Sequence, residues 1–514
     1  MDLGGIMDFY EMLESRDLVS LLHKVEYQPI NFHNQGKVNA YLDDMRSHPE
    51  ASVLIYGDYD LDGAMFIKST ESAIKKMGMT HVDVFRYRKR THELDREAIR
   101  YCIQKKYEFF IVGDTASSDY GTLKMLKSYG IKVLVIDHHV TTYDYEDFDN
   151  IDVRIVNTVL ENNIVAREIY KFSAGALAFC VFDTYFHLRN LTPLKEEVAY
   201  AVVSLYGDCM DMSNIFNQSL YYKAISLQRN ELPKYILHFM NEYQCLSARF
   251  IGFWLAPRIN ALFRSENFDV LNKYLFDDST AINKIDLIES INSIYEQNRN
   301  MVKLLSDLVN VEEMEHFVIC NLRTASEKSN VPFSNLQNYT GLVANKLSTR
   351  YGKTTVVYCS YQNTYKGSVR DPYSRNYLPI FQQLCYAGGH GPAFGLVIRP
   401  FEITAFLKRL LVIDQHFHIE AIGNEPIIID YNYSEPDDGL IYDIALYNEF
   451  SGSFLPVVYL RKQFIGRMKY NKTDWGCSYS WGEYYIHSDY PIEFGKFMLI
   501  KPIWGNKIKL KAQI

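Results

Sequence analysis

Short apolar segments that each run into acidic residues constrain the fold of this chain most strongly. Residues 52–56 (SVLIY) precede the sequence GDYDLDG, residues 109–113 (FFIVG) precede Asp114, and residues 133–137 (VLVID) precede two histidines. Short continuous apolar runs are typical of strands buried on both faces of a parallel sheet. Because segments with a helical pattern separate these runs, the sequence predicts an α/β fold with a doubly wound parallel sheet.

The sequence GDYDLDG at residues 57–63 contains three carboxylates in alternation, Asp58, Asp60 and Asp62. Alternate residues project to one side of an extended chain, so these side chains can converge on a hard cation. The start of a calcium-binding EF-hand loop has the same pattern, but that loop needs a Glu at its twelfth position, where Ser69 stands. A solvated acidic turn stays open as the alternative for this motif taken alone.

Three further acidic positions follow predicted strands or helices. Asp114 stands alone after its strand, and taken by itself it is typical of a helix N-cap. Asp137, His138 and His139 follow the next strand, and Asp211 ends the sequence Gly-x-x-x-Asp, with Asp208 as a competing candidate. Ligands bind at the carboxyl ends of the strands in such sheets, so these groups are candidates for one site.

The 514 residues exceed one ordinary core, and the pattern changes along them. We predict a catalytic domain with a helical N-terminal stretch, a long connecting helix, a smaller α/β domain, and a tail that is β-rich, with an all-β pattern. Their boundaries are predicted at residues 1–282, 283–310, 311–410 and 411–514.

Composition excludes some classes of protein. No stretch approaches the roughly 18 uncharged apolar residues of a membrane-spanning helix, and the acidic N-terminus does not resemble a signal peptide. The eight cysteines are scattered without a CxxC pair, so neither a zinc ribbon nor a disulfide framework is indicated. We therefore expect a cytoplasmic protein with reduced thiols and no membrane partner.

Together, the acidic motifs resemble the four ordered motifs of the DHH phosphoesterase superfamily. GDYDLDG, the isolated Asp114, the DHH sequence at 137–139 and the Gly-x-x-x-Asp sequence at 207–211 match in order and spacing. The sequence APRINALFR at 256–264 is similar to a segment of the RecJ exonucleases. This resemblance implies a DHH domain of the RecJ type.

The resemblance continues into the second half of the chain. GLVANKLSTRYG at 341–352, KGSVR at 366–370 and AGGHGPAFG at 387–395 are similar to motifs of the DHHA1 domain that follows DHH domains. The likeness thus covers residues 45–400, and it implies a DHHA1 domain over 311–410. RecJ proteins carry an OB fold next, which implies an OB-like tail.

The resemblance implies two divalent cations, with Mn²⁺ favoured and Mg²⁺ as the alternative. One cation would be held by Asp60 and Asp114, with Asp58 compensating for Tyr56, which stands where many family members have a histidine ligand. The other would be held by Asp62, Asp114, His138 and Asp211, and His139 would support the site or act on the leaving group. The implied catalytic residues are Asp60, Asp62, Asp114, His138, His139 and Asp211.

Other residues are candidates for contacts with the substrate. Glycines let backbone approach a phosphate closely, and arginine suits bidentate phosphate binding. A plain turn is the alternative for the GGH sequence, and an ordinary surface arginine is the alternative for each arginine. The resemblance implies a phosphate grip formed by Ser368, Arg370, Gly388, Gly389 and His390, and contacts to the strand backbone from Arg258, Asn260 and Arg264.

The end of the tail combines positive charge with aromatic residues. Residues 459–514 carry ten Lys/Arg against four Asp/Glu, and they contain three tryptophans and several tyrosines. Basic groups follow phosphates while aromatic rings stack on bases, so this segment is a candidate nucleic-acid interface. A β-rich packing domain with aromatic core residues is the alternative. The aromatic candidates are Trp475, Trp481, Trp504, Tyr470, Tyr479, Tyr484 and Tyr485.

From the resemblance we expect an exonuclease that degrades single-stranded nucleic acid from an end, with DNA favoured over RNA and with 5′→3′ polarity. A single-strand-binding protein or a helicase is the expected protein partner. The expected location is a bacterial cytoplasm, with a phage-encoded protein in the host as the alternative. Two other functions stay open: a phosphodiesterase for short oligoribonucleotides or cyclic dinucleotides, and a RecJ-like scaffold without catalytic activity.

Overall fold

The chain divides into two compact units in the computed structural model. The first unit contains residues 23–294, and the second contains residues 1–22 together with 295–514. None of the helices described below is both long and apolar enough to cross a membrane. The structure describes residues 9–15, 19–88, 94–161, 170–240, 246–277, 284–329, 333–373, 375–416, 427–430, 436–450, 457–463, 470–473, 476–488, 497–503 and 507–513.

A parallel sheet of five strands forms the centre of the first unit. Its strands are β1 (Ser52–Gly57), β2 (His81–Val84), β3 (Phe109–Gly113), β4 (Lys132–Asp137) and β5 (Arg154–Asn157). They lie in the order β2, β1, β3, β4, β5, and every neighbouring pair is parallel. The predicted parallel sheet is therefore confirmed. Because the chain order reverses between β1 and β3, the carboxyl ends of these two strands flank the crevice where such sheets bind ligands.

Helices connect the strands and cover the sheets, and several begin at a side chain that satisfies free backbone N–H groups. Asp60, Asp95 and Asp144 accept such hydrogen bonds at the starts of three helices. The helices are α1 (Phe9–Ser15), α2 (Gln35–Ser47), α3 (Leu61–Lys76), α4 (Arg96–Lys105), α5 (Tyr120–Ser128), α6 (Tyr145–Asn150), α7 (Ala174–Leu188), α8 (Glu197–Gly207), α9 (Ile215–Ile225), α10 (Lys234–Phe239), α11 (Ala248–Phe250), α12 (Ala256–Arg264), α13 (Phe268–Phe276), α14 (Lys284–Leu308), α15 (Arg323–Ser329), α16 (Thr340–Tyr351), α17 (Leu378–Gln382), α18 (Ile403–His416) and α19 (Asp438–Phe450).

Two further features of the helices are a π-helical turn and one long helix. A π-helical turn, Ile251–Leu255, directly precedes α12. The long connecting helix predicted over 283–310 is present as α14, which runs without interruption for 25 residues. No proline or glycine occurs within it, which is why the helix can be so long.

The second unit contains a mixed sheet of six strands. They are β6 (Val311–Glu313), β7 (Phe317–Asn321), β8 (Thr354–Tyr361), β9 (Thr364–Arg370), β10 (Tyr386–His390) and β11 (Ala393–Ile398), in the order β10, β11, β9, β8, β7, β6. Only β7 and β8 run parallel. One face packs on α18, while α16 covers β8 and β9 on the other face. This α/β architecture agrees with the prediction for residues 311–410.

A third sheet, also in the second unit, has seven strands. They are β12 (Ile427–Asp430), β13 (Val458–Gln463), β14 (Tyr470–Thr473), β15 (Gly476–Trp481), β16 (Tyr484–Ser488), β17 (Phe497–Ile503) and β18 (Lys507–Gln513), in the order β12, β13, β17, β18, β16, β15, β14. The prediction of a β-rich tail is confirmed, but the prediction that this tail has an all-β pattern was wrong for residues 438–450. There Ile441, Ile444 and Ala445 recur at helical spacing and are buried, so α19 forms and packs on β17.

Candidate metal centre

Side chains from four segments converge at the carboxyl ends of the central strands of the first unit. The segments follow β1, β3, β4 and α8. Three overlapping groups of acidic and histidine side chains in the described residues have potential ligand atoms within 4.8 Å of one another. The groups are Asp58 with Asp60 and Asp114; Asp62 with His138 and Asp208; and Asp114 with Asp137, His138 and His139.

The loop after β1 is fixed by its own backbone. The carboxylate of Asp60 accepts a hydrogen bond from the backbone N–H of Gly63 at 3.0 Å and thereby caps α3. A Cβ atom on Gly63 would lie 2.3 Å from the carbonyl oxygen of Asp58, so only glycine allows this close approach. The hydroxyl of Tyr87 donates to the same carbonyl at 3.0 Å. These contacts hold the acidic loop in one conformation.

Asp62 is anchored by two helices. Its carboxylate accepts hydrogen bonds from the backbone N–H groups of Ala174 at 2.7 Å and Gly175 at 2.8 Å, the first residues of α7. The hydroxyl of Ser204 in α8 also donates to it. A helix N-terminus carries partial positive charge, which stabilises a nearby carboxylate. Asp62 is therefore held in place although it is almost completely buried.

Asp114 occupies a strained backbone position. Its φ angle is 60°, and that of Ala116 is 82°, in the left-handed region that residues with side chains rarely adopt. Such strain is concentrated at functional sites. Its buried carboxylate has Oδ1 3.2 Å from Nε2 of His138, whereas Oδ2 has no hydrogen-bond partner among the described residues. An orphaned buried carboxylate oxygen is costly, and a bound cation would relieve that cost.

Asp137 orients the two histidines. It accepts hydrogen bonds from the backbone N–H groups of His138 at 2.8 Å, His139 at 3.2 Å and Ser117 at 3.1 Å, and from Nδ1 of His139 at 2.8 Å. Burial alone would raise the pKa of Asp137, but these neighbours, His139 above all, hold it below its usual range. Asp137 was a candidate for the site from its position at the very end of β4, but no particular role was predicted for it.

The two histidine rings differ in their surroundings. Nε2 of the buried His138 lies 3.7 Å from oxygens of both Asp62 and Asp208, in addition to its contact with Asp114. The ring of His139 is half exposed, and it turns to Asp137 instead. Partial removal of water opposes ionisation of His139, yet Asp137 raises its pKa to about 10. Nε2 of His138 thus lies close to three carboxylates, whereas the ring of His139 contacts Asp137.

The crowded carboxylates need a positive partner. Burial, followed by the charges of neighbouring aspartates, raises the pKa of Asp62 and Asp114 well above the usual range, and burial also raises the pKa of Asp60. Carboxylate oxygens with one imidazole nitrogen suit a hard divalent cation such as Mn²⁺ or Mg²⁺. The orphaned oxygen of Asp114 and this set of donor atoms therefore fit a divalent metal ion.

Comparison with known proteins assigns the domain. Residues 52–204 match the DHH family, N-terminal domain. The single-stranded-DNA-specific exonuclease RecJ of Bacillus subtilis (strain 168) is 22% identical over 380 residues, which covers 70% of this chain and 45% of that protein. RecJ of Haemophilus influenzae is 22% identical over 396 residues, which covers 70% and 65% respectively. The chain thus spans less than two thirds of the length of these relatives.

Solved structures show the same architecture. RecJ of Thermus thermophilus in complex with Mn²⁺ has a TM-score of 0.69 at 16% identity and covers 95% of this chain and 72% of that chain. The same protein in complex with Mg²⁺ has a TM-score of 0.65 at 15% identity, with 96% and 72% covered. The chain carries a DHH domain in a RecJ-like fold.

The fourth motif of the DHH domain offers two candidate ligands, and the ligand role of Asp211 stays a prediction. The predicted ligand Asp211 accepts hydrogen bonds from the backbone N–H of Ser213 at 2.8 Å and from its hydroxyl at 2.6 Å, and it belongs to none of the three groups formed by the described residues. Asp208, which directly follows the end of α8, lies beside His138 instead. The helix ends at Gly207, so the next residue still projects towards the site, whereas Asp211 stabilises the following turn.

Tyr56, which stands where the resemblance implies a histidine ligand in many family members, is fully buried. Its ring packs against Tyr59 and Phe85, with ring centroids 6.4 and 6.0 Å away. It belongs to an aromatic cluster below the acidic loop. This position of the DHH domain therefore contributes packing, and carboxylates dominate the group formed by Asp58, Asp60 and Asp114.

Arg258, a predicted substrate contact in α12, is engaged within the first unit. Its guanidinium donates to Oδ1 of Asn292 at 2.7 Å and to the carbonyl of Trp254 at 2.9 Å, and it lies 3.5 Å from the centroid of that tryptophan ring. These contacts tie α12 to the start of α14, which favours a structural role. Asn260 and Arg264 are partly exposed, and their contact with a substrate stays a prediction.

The predicted phosphate-binding residues come together in the second sheet. Ser368 and Arg370 lie on β9, and the hydroxyl of Ser368 shares a hydrogen bond of 2.9 Å with that of Thr340 at the start of α16. Gly388, Gly389 and His390 lie on β10, which pairs with β11, and β11 in turn pairs with β9. The side chain of His390 lies outside the described residues.

The described aromatic residues of the tail are mostly core. Of the candidate rings, Trp481, Tyr479 and Tyr484 are buried, whereas Tyr485 is 53% exposed. Trp475, Trp504 and the side chain of Tyr470 lie outside the described residues. The structure therefore supports the packing alternative for three of the four candidate rings that it describes.

Proposed function

We propose that this protein is a metal-dependent exonuclease that hydrolyses the phosphodiester bonds of single-stranded DNA from a 5′ end. The observation that carries the proposal is the position of Asp114, which belongs to the group with Asp58 and Asp60 and also lies 3.2 Å from Nε2 of His138, a member of the group with Asp62 and Asp208. The names of the relatives support DNA as the substrate, since those proteins are single-stranded-DNA-specific exonucleases.

The ligand groups suit two divalent cations, with Mn²⁺ favoured and Mg²⁺ as the alternative. Asp58, Asp60 and Asp114 would hold one cation, and Asp62, Asp114, His138 and Asp208 would hold the other, with Asp208 in place of Asp211. Paired divalent cations supply an activated hydroxide and stabilise charge on the attacked phosphate.

The chain's own residues keep the site ready for hydrolysis. Ser204 and the start of α7 fix Asp62, and Asp137 fixes the backbone of His138. His139, whose pKa is raised to about 10, is protonated at neutral pH and can donate a proton to the leaving oxygen.

An enzyme that cuts from an end must also hold that end. Ser368 and Arg370 supply a hydroxyl and a guanidinium on β9, and Gly388 and Gly389 supply backbone that a phosphate can approach closely. We assign the terminal phosphate to these residues. Association with a single-strand-binding protein or a helicase stays a prediction.

One observation favours a second candidate. Because most described aromatic residues of the tail are buried, the tail offers few rings for a long strand. A phosphodiesterase acting on short oligoribonucleotides or cyclic dinucleotides needs no such surface. The two candidates differ in the length and the sugar of the preferred substrate.

The deciding experiment is digestion of single strands with Mn²⁺ or Mg²⁺. Strands of DNA and RNA, from dinucleotides to about 40 residues and labelled at either end, are compared with a cyclic dinucleotide. We expect stepwise release of mononucleotides from the 5′ end of long DNA. Faster cleavage of ribonucleotide dimers than of long DNA would replace the proposal with the second candidate.

A matched pair of variants controls for contaminating nucleases. Asp114→Asn alters the shared ligand after β3, whereas Glu108→Gln alters an exposed carboxylate at the opposite end of the same strand region. Cleavage must disappear in the first variant and persist in the second. Equal activity in both would mean that the cluster is not the catalytic site.

A further inference from the structure

Three neighbouring strands of the second unit present an aligned surface. The registers of β9 with β11 and of β11 with β10 are both described, so residues can be placed in rows across the strands. The first row is Lys366, Val397 and Tyr386; the second is Ser368, Gly395 and Gly388; the third is Arg370, Ala393 and His390.

These rows share one face of the sheet. Side chains alternate between the two faces of a strand, and the intervening residues point the other way. Val369, Phe394, Leu396 and Ala387 are intervening residues, and all are buried in the core under α18. The rows therefore lie on the face away from that core, where Gly388, Gly395 and Tyr386 are exposed.

Two of the three residues in the middle row, Gly395 and Gly388, lack a side chain where packing would permit one. A Cβ atom added to Gly388 would meet nothing within 4 Å, and one added to Gly395 would meet only two backbone oxygens at 3.8 Å. Neither residue has the positive φ angle that favours glycine. The two cross-strand glycines thus leave a shallow trough that local packing does not require.

The two sides of the trough differ in chemistry. Beyond the glycines, the first row offers Tyr386, whose side chain is 78% exposed. On the other side, Arg370 lies against the start of α16, since a Cβ atom on Gly341 would be 2.9 Å from its Nη2 atom. A cation beside a hydroxyl pair suits a phosphate, whereas an exposed aromatic ring suits a base.

We propose that the trough binds the terminal nucleotide of the substrate, with its sugar over Gly388 and Gly395 and its base stacked on Tyr386. The inference rests on the proposed function, in which Ser368 and Arg370 hold the terminal phosphate. Ser368 and Tyr386 are one row and two strands apart, which is about 7 Å along the strands and about 10 Å across them. A phosphate held at Ser368 and a base stacked on the ring of Tyr386 would each extend into this gap from their own side, and the sugar would lie between them over the glycines.

Stacking on Tyr386 would make the grip independent of sequence. Every base offers an aromatic face, so a ring at this position accepts all four nucleotides equally well. An enzyme that removes successive nucleotides needs this tolerance, because each step brings a new base to the same position. Gly388 and Gly395 likewise offer no side chain that could form a hydrogen bond with the edge of a base, so their contact with the sugar would be the same for every nucleotide.

The test measures binding by the full chain carrying Asp114→Asn, with Mn²⁺ present, so that the strand is not consumed. Two 5′-phosphorylated DNA strands are compared, one with a normal terminal nucleotide and one with an abasic terminal sugar. Adding Tyr386→Leu should weaken binding of the normal strand by about 5- to 150-fold, the range expected for one stacked base. Binding of the abasic strand should stay unchanged.

Three further variants make the result specific. Tyr386→Phe keeps the ring and should bind like the parent. Tyr129→Leu removes another exposed ring, 61% exposed and located before β4 in the first unit, and should have no effect. Gly395→Val fills the trough with a residue that β-strands favour, so the melting temperature should not change. Binding of both DNA strands, the normal and the abasic, should become weaker.

The inference is overturned if Tyr386→Leu leaves binding of the normal strand unchanged, or if it weakens both strands equally. Cleavage of single-stranded DNA by the unaltered protein is measured separately. If the unaltered protein cleaves DNA while Tyr386→Leu has no effect on binding, the proposed function is supported and the stacking site is contradicted. If no cleavage occurs but the protein binds the normal strand more tightly than the abasic strand, the terminal site is supported and the exonuclease activity is contradicted.

Discussion

The metal centre and the trough solve different physical problems. At the metal centre, Asp62, Asp114, Asp137 and His138 are buried, and Asp62 and Asp137 are each anchored by several hydrogen bonds. Asp114 is held there in a strained conformation. The trough is exposed, and it is defined by strand register and missing side chains. Chemistry on a phosphate needs preorganised charge, whereas holding a changing nucleotide needs space and a tolerant ring.

The largest effect should come from the shared ligand. Asp114→Asn should lower cleavage of single-stranded DNA by about a thousandfold or more, because a metal-activated water has a pKa of about 7 and free water one of about 15.7. Single-turnover cleavage with saturating Mn²⁺ measures this loss. The variant should still bind a 5′-phosphorylated strand, since the terminal grip lies on a different sheet. Loss of binding together with cleavage would show that the two regions are not separate functions.

A smaller effect should follow from a substitution among the predicted phosphate-binding residues beside the trough. Arg370→Ala should raise KM for a 5′-phosphorylated strand by about 10- to 150-fold, because a hydrogen bond to a charged group contributes about 1.5–3 kcal/mol. A 5′-hydroxyl strand should change little, since it lacks the partner of the guanidinium. Arg399→Ala, at an exposed arginine just after β11, is the matched control. An equal rise of KM on both strands would place Arg370 elsewhere than at the terminal phosphate.

Anchoring of the metal ligands can be tested without touching a ligand. Ser204→Ala removes the hydroxyl that donates to Asp62, and it should weaken Mn²⁺ binding by about 10- to 100-fold. Calorimetric titration of the apo protein with Mn²⁺ reports the change directly. Saturating Mn²⁺ should restore cleavage, which a merely misfolded variant would not show. If Mn²⁺ affinity stays unchanged, the backbone N–H groups of α7 hold Asp62 without help.

The two regions also differ in how far the sequence predicts them. Strand ends and acidic spacing place Asp58, Asp60, Asp62, Asp114 and His138 correctly at one edge, since parallel strands deliver their carboxyl ends together. This part of the site follows from local sequence and one rule of topology.

Other parts of the site depend on tertiary geometry. The choice of Asp208 over Asp211 depends on where α8 ends, and an end can shift by a residue or two without a change in pattern. Ser204 lies inside a helix, where no motif distinguishes it. The position of Tyr386 beside the glycines depends on the register between β10 and β11, and registers are set by the whole sheet. The helix at 438–450 was missed because aromatic and β-branched residues dominate the tail around it.

The smallest predicted effect is on stability, and it concerns the charge of the apo site. Burial and neighbouring aspartates raise the pKa of Asp114 well above its unfolded value of about 3.9. Between those two values the folded apo protein binds more protons than the unfolded chain, so its free energy of unfolding falls as the pH rises. Asparagine cannot ionise, so Asp114→Asn should lack this contribution. In EDTA the variant should melt at a higher temperature than the parent, and the gap between their melting temperatures should be larger at pH 8 than at pH 5.

A gap of a few degrees is expected, since about 1 kcal/mol corresponds to about 2–4 °C for units of this size. Mn²⁺ should then stabilise the parent more than the variant, by about 2.7 kcal/mol at a hundredfold excess over Kd if the variant no longer binds. A gap in melting temperature that is independent of pH would show that the charge of Asp114 does not destabilise the folded apo protein. The metal centre would then not differ from the trough in its electrostatics.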